Sequence, residues 1–376
     1  MLRLSNFQVY CMLLLFCAPI AFLQVGKYAI DLLLNNAYLA VVATIIPGIL
    51  IIYIFHYIIQ KSTFPFPFML EEHLGPKAGK IIGFLYSLIF LFFTSFSLRL
   101  FIDFIETNVL PQTPITIFLG LLLLCSCLAV KTGLGNFARM CEVIVILGLS
   151  FAFTIAFLSF FQHPDIKNLL PFAYINSLES FFRAVFMLTS EILKLTAILF
   201  LAFFIPDKKA SFSIMIKVLF TFITLISSIT IATIMVLGAH AAKLFTFPTF
   251  IVVRIINIAD FITNLDAIFI GLWVIGIFGS STLFLFLFCI TTSFVFNLQE
   301  YRFLASPSSL IIAVLALQMA SNILELNIII VHIAPVLLFI FFFLIPLLLF
   351  FITWKKPYPS SSSPLEIKDH FPTYLN

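Results

Sequence analysis

Ten apolar stretches, each long enough to cross a lipid bilayer as a helix, dominate this 376-residue chain. They run over 7–25, 38–59, 81–104, 115–130, 136–161, 181–204, 214–238, 266–296, 308–324 and 331–352. A hydrocarbon interior offers no water to a backbone N–H or C=O, so only helices and closed barrels can span it. Alternating ten-residue strands, the mark of a barrel, are absent from the pattern. The expected fold is therefore all-α, a polytopic membrane protein of ten transmembrane helices. Residues 1–355 are expected to form one ten-helix transmembrane domain, and 356–376 read as a flexible cytoplasmic tail in which Ser360-Ser-Ser-Ser363 lies between prolines. A shorter apolar piece from Pro248 to about Ile258 predicts an external helix lying on the bundle. The hydrophobic share of 62% and mean hydropathy of +1.20 exclude an ordinary soluble domain, at about 45–50% apolar.

Ten crossings put both termini on one side. Thirteen Lys and Arg residues fall on that side, against six on the other: Lys27, Arg99, Lys167, Arg183, Lys243 and Arg254. This bias predicts cytoplasmic termini. The net charge of +4 thus speaks to orientation and not to nucleic acid. The 50 phenylalanines fit an A/T-rich codon preference as well as lipid-facing bulk, and carry no functional reading. All six cysteines lie in or at the ends of apolar segments, without zinc-ligand spacing. The first run lacks a small-x-small cleavage site and reads as a retained helix. No phosphate-cradling glycine loop, nucleophile elbow or metal-ligand cluster occurs, so neither an enzyme, a cofactor nor a metal is expected.

Within the sixth stretch stand Glu191 and Lys194, three residues apart and hence on one helix face. An ionisable residue near the bilayer centre costs roughly 2.5–3.5 kcal/mol on insertion scales, so it faces protein, a hydrated cavity or another charge. Two readings are open: an internal pair that fixes helix packing, or a helix that lines a polar site at mid-membrane. The first stretch contains Pro19, and the sixth contains Thr189-Ser190-Glu191, whose hydroxyls compete for backbone hydrogen bonds. Interruptions at positions one and six suggest two related halves of five helices, a five-plus-five inverted-repeat bundle of the LeuT-like kind with discontinuous helices 1 and 6.

Several stretches together resemble one family. Leu110-Pro-Gln-Thr-Pro114 precedes the fourth stretch, Asn136-Phe-Ala-Arg139 with Glu142 opens the fifth, and Asn168-Leu-Leu-Pro171 follows it. Ser190-Glu191 stands where the family usually has Gly-Glu. Phe247-Pro248, Arg254, Ala259-Asp-Phe-Ile262 and Leu265-Asp-Ala-Ile-Phe269 complete the series. Over residues 5 to 355 the chain resembles the B subunits of spore germinant receptors, the endospore-germination permeases, which are related to amino acid–polyamine–organocation transporters. One departure is visible: Cys17-Ala-Pro-Ile-Ala21 has no glycine before Gly26, where relatives carry glycines and serines.

The resemblance implies a sensor in the spore inner membrane that works with an A subunit and a lipoprotein C subunit, and recognises a small nutrient such as an amino acid. The expected ligand site draws Cys17, Ala18, Pro19 and Ile20 from helix one, Phe93 and Phe96 from helix three, and Phe186, Thr189, Ser190 and Glu191 from helix six. Ser280, Ser281 and Thr282 of helix eight would add hydroxyls. Arg254, Asp260 and Asp266 form a second charged group, read either as a solvated loop or as an outer gate or partner contact. Two other functions stay open on these residues: a proton- or sodium-coupled amino acid transporter, and a scaffold subunit that binds no nutrient.

Overall fold

The computed structural model describes residues 3–61, 65–162, 164–175, 177–257 and 265–354. Helices account for nearly all of them, and no strand occurs among them. The first helix, α1, covers 6–33 and opens with a capping box: Ser5 accepts from the Gln8 amide while Gln8 accepts from the Ser5 amide. At Leu34 the backbone turns left-handed (φ 52°), and the chain re-enters as α2, 37–61. Further along lie α3 (Pro76–Asn108), α4 (Ile115–Thr132), α5 (Leu134–Ser159), α6 (Leu178–Phe204) and α7 (Ala210–Leu237). They are followed by α8 (Leu265–Val295), α9 (Arg302–Gln318) and α10 (Ile323–Trp354).

Among the described residues, eight helical stretches are long and apolar enough to cross a membrane, with 6–61 counted as one of them; α9 is shorter. Most boundaries fall within five residues of the hydropathy pattern. The exceptions have local causes. The ninth apolar run overreaches because the helix ends at Gln318, and Asn322 then caps a new one by accepting from the Glu325 amide. Thus α10 begins eight residues before its predicted start. The piece after Pro248 is a helix, Pro248–Ile255, whose Phe250, Val252 and Val253 are buried against the bundle.

The interior belongs to α1, α3, α6, α7 and α8, while α4, α5 and α10 leave more of their surface outward. The contact of α3 with α8 is the most extensive in the molecule. Where α8 crosses α1, glycine permits the approach. A Cβ on Gly279 would stand 2.2 Å from Leu15 Cδ2, and one on Gly276 would stand 3.3 Å from Pro19 Cγ. Gly279 therefore lets α8 rest on the stretch of α1 that precedes its irregular turn.

That turn lies directly after Pro19, at Ala21–Val25, and is a π turn rather than an unwound strand. Its flanking residues keep right-handed dihedrals. The missing glycine explains the form, because side-chain-bearing residues widen a helix more readily than they enter left-handed space. In α6 the departure is a tight 3-10 turn at Leu193–Thr196, two residues beyond Glu191. Helix α10 has two π turns, Ile329–Ile333 and Ile340–Leu344, that the sequence pattern does not single out.

Candidate functional site

The π turn of α1, the first π turn of α10 and the segment of α6 just before its 3-10 turn border a small cavity. Ile20, Gln24, Val25 and Tyr28 line it from α1, and Phe96 from α3. Met187, Ser190 and Glu191 contribute from α6, and Ile330, Ala334, Pro335 and Leu338 from α10. Its volume is about 20 Å³, room for a single water.

Glu191 and Lys194 form an ion pair of 2.5 Å, with Lys194 only 2% exposed. The two ends of this pair have different surroundings: Glu191 reaches the cavity wall, whereas Lys194 lies wholly within protein. Cys17, 2% exposed, lies on α1 three residues before Ile20 and is not part of the cavity wall. Ser190 donates to the Met187 carbonyl one turn back (2.6 Å), and the Thr189 hydroxyl is buried without a hydrogen-bond partner.

Other predicted residues are distributed around this centre. Ala18 and Pro19 lie on the opposite side of α1, in an apolar crevice of about 100 Å³ shared with α5 and α8. There Trp273 Nε1 donates to the Pro19 carbonyl (2.9 Å) and Ser280 donates to the Phe16 carbonyl (3.4 Å). Ser281 bonds within its own helix to Phe278, and Thr282 donates to Ser126 of α4 (2.9 Å). Phe93 stacks on Phe284 at 5.5 Å, and Phe186 is 41% exposed beside Phe339. The structure thus brings Ile20, Phe96, Ser190 and Glu191 together, leaves Cys17 off the cavity wall, and directs the α8 hydroxyls to helix packing. Arg254 is exposed, and no ion pair joins it to Asp266 among the described residues; Asp260 lies outside them. The same residues hold no group of His, Cys, Asp and Glu arranged for a metal.

Four cavity residues of α10, Met187 of α6, and Gln24, Val25 and Tyr28 of α1 are absent from the sequence expectation. Gln24 gave a signal: it is an amide within an apolar run, 6% exposed, and its Oε1 has no partner. Pro335 gave a weaker one. Ile330, Ala334 and Leu338 gave none, since an apolar residue facing a cavity is indistinguishable by composition from one facing lipid.

A helix bundle whose interrupted helices surround a buried charged centre defines an integral membrane protein of the transporter-like, LeuT-type inverted-repeat fold. The bundle superposes on MhsT in complex with L-phenylalanine with a TM-score of 0.65, over 94% of this chain and 98% of that one at 12% identity. It also superposes on MHP1, a nucleobase-cation-symport-1 family transporter in a closed conformation with bromovinylhydantoin bound (TM-score 0.64, 92% and 79% covered, 12% identity). At such identities the likeness establishes the fold alone. The family is settled by sequence: residues 3–324 match the spore germination protein family, and the chain belongs to it. It is similar to spore germination protein KB of Bacillus subtilis strain 168, 28% identical over 348 residues, 89% of this chain and 91% of that protein. The putative spore germination protein YfkT of the same strain is 27% identical over 359 residues, 91% and 95% of the two chains.

Proposed function

We propose that this protein is the membrane-embedded B subunit of a spore germinant receptor, and that it binds a small nutrient, an amino acid by preference, to trigger germination. It would reside in the spore inner membrane with both termini in the cytoplasm and act with an A subunit and a lipoprotein C subunit. The observation that carries this reading is the cavity where Ser190 and Glu191 meet Gln24, which lies in the π turn of α1. Such turns present backbone ends and side-chain dipoles to a ligand's charged groups. Binding would favour one of two bundle arrangements through differential affinity, and the partner subunits would read the difference.

The test is Glu191→Gln, which keeps shape and removes charge. Because Lys194 loses its partner, the amount of protein in the spore membrane should fall, and the response is read per molecule retained. The expected outcome is at least a tenfold lower germination rate per molecule at saturating nutrient, and a wild-type rate per molecule would remove the site role.

A second reading, an ion-coupled amino acid transporter, is supported by the fold shared with two transporters. Accumulation of labelled amino acids by vesicles containing this protein alone would favour it. A strict requirement for A and C subunits would favour the receptor.

A further inference from the structure

A second and larger cavity lies at the end of the bundle away from the start of α1. It measures about 190 Å³, roughly ten times the inner one. Gln24, Lys27 and Tyr28 of α1 line it together with Lys243, Thr246 and Asn327. Its wall is mostly polar, unlike the crevice beside Pro19. The charges do not cancel. Lys27 is paired with Asp31 at 2.7 Å, whereas Lys243 has no ion-pair partner among the described residues.

The two cavities are neighbours. Gln24, Tyr28 and Ile330 line both. Between them the Tyr28 hydroxyl donates to Asn327 Oδ1 (2.7 Å), a bond that ties α1 to α10. Gln24 sits at the same boundary, more than nine-tenths buried, with an unpartnered carbonyl oxygen. A buried acceptor without a donor costs free energy until a ligand or water supplies one.

We propose that this outer chamber is a docking site for a small carboxylate-bearing solute, entered before the cavity at Glu191. The carboxylate meets Lys243 and Lys27, and a donor at the solute's other end meets Gln24 Oε1. The bond between Tyr28 and Asn327 separates the docked solute from the inner cavity. Passage from the chamber to the inner cavity rests on the nutrient-binding reading, but docking itself is a property of the chamber.

The experiment reads docking without germination. Full-length protein carrying Thr246→Cys, in a Cys125→Ser background that removes the exposed native thiol, is solubilised in detergent and labelled with a charged maleimide. The probes are the twenty α-amino acids, their carboxamides and glucose. The expected result is slower labelling with at least one amino acid, and unchanged labelling with its carboxamide or with glucose. Lys243→Gln should raise the concentration for half-protection at least tenfold, and Lys243→Arg should restore it to within about threefold. Protection by amides equal to that by acids, or no protection by any acid, overturns the proposal. Protection that persists while Glu191→Gln germinates normally would leave the chamber standing and remove the inner site.

Discussion

At the residue scale the decisive group is the Glu191–Lys194 pair. Its members share one hydrogen-bonded contact, yet only the carboxylate borders the cavity. Removing one partner leaves a buried charge uncompensated, at a cost of about 3–5 kcal/mol. Lys194→Met alone should therefore lower the amount of folded protein sharply, as measured by immunoblot of spore membranes. The double variant Glu191→Gln, Lys194→Met should recover the amount while leaving the nutrient response low. Recovery of both amount and response would make the pair a packing device. The pair was legible in the sequence because two ionisable residues at helical spacing within an apolar run have few tolerable surroundings. The opposite wall was not legible, since Ile330 and Leu338 face the cavity with the same chemistry that others offer to lipid. Gln24 lay between these cases: a lone amide marks a polar surrounding but does not say which neighbour supplies it.

At the element scale, donors from neighbouring helices meet carbonyls at or beside two of the irregular turns. The Pro19 carbonyl, beside the π turn of α1, accepts from the Trp273 indole. In the second π turn of α10, the Phe341 carbonyl accepts from the Tyr86 hydroxyl, and the Phe342 carbonyl accepts from Thr196 at 2.8 Å. Thr196 closes the 3-10 turn of α6, so this last bond couples two irregular turns directly. Carbonyls loosened from a helix ladder in an apolar surrounding need such donors. Trp273→Phe keeps the ring and removes the donor, and should destabilise the solubilised protein by about 1–3 kcal/mol. A thermal-unfolding midpoint equal to that of the parent would show that the bond contributes nothing. Hydrogen exchange should be faster at Ala21–Val25 and Ile340–Leu344 than in the middle of α3, whose hydrogen-bond ladder is regular. The positions of these helices were legible from hydropathy, and the breaks in α1 and α6 were placed within a few residues. Their form was not, because a proline marks where a ladder is weakened while the surrounding side chains decide whether it widens, tightens or opens. The turns of α10 carried no such mark at Ile340–Leu344.

At the scale of the whole molecule, the bundle places Lys61 beside Tyr57 and Trp354 at one end, and Lys27 and Lys243 at the other. The Lys and Arg asymmetry predicts that the first end faces the cytoplasm. A Ser5→Cys label should then react only from the cytoplasmic side of sealed vesicles, and Lys243→Cys only from the opposite side, both in a Cys125→Ser background. The reverse pattern would invert the orientation and place the outer chamber on the cytoplasmic face. The charge asymmetry was legible because the distribution of Lys and Arg along the chain survives folding unchanged. The partition of the interior into two cavities was not, since it depends on which helix faces meet.

The inner cavity, with space for one water, sets a condition on anything that occupies it. A solute of amino-acid size can enter only by pushing α1, α6 and α10 apart, so occupancy and change of shape are a single event. Water alone fits without moving a wall. A dormant cell that relied on such a detector would ignore hydration and answer only to a molecule large enough to do mechanical work on its walls.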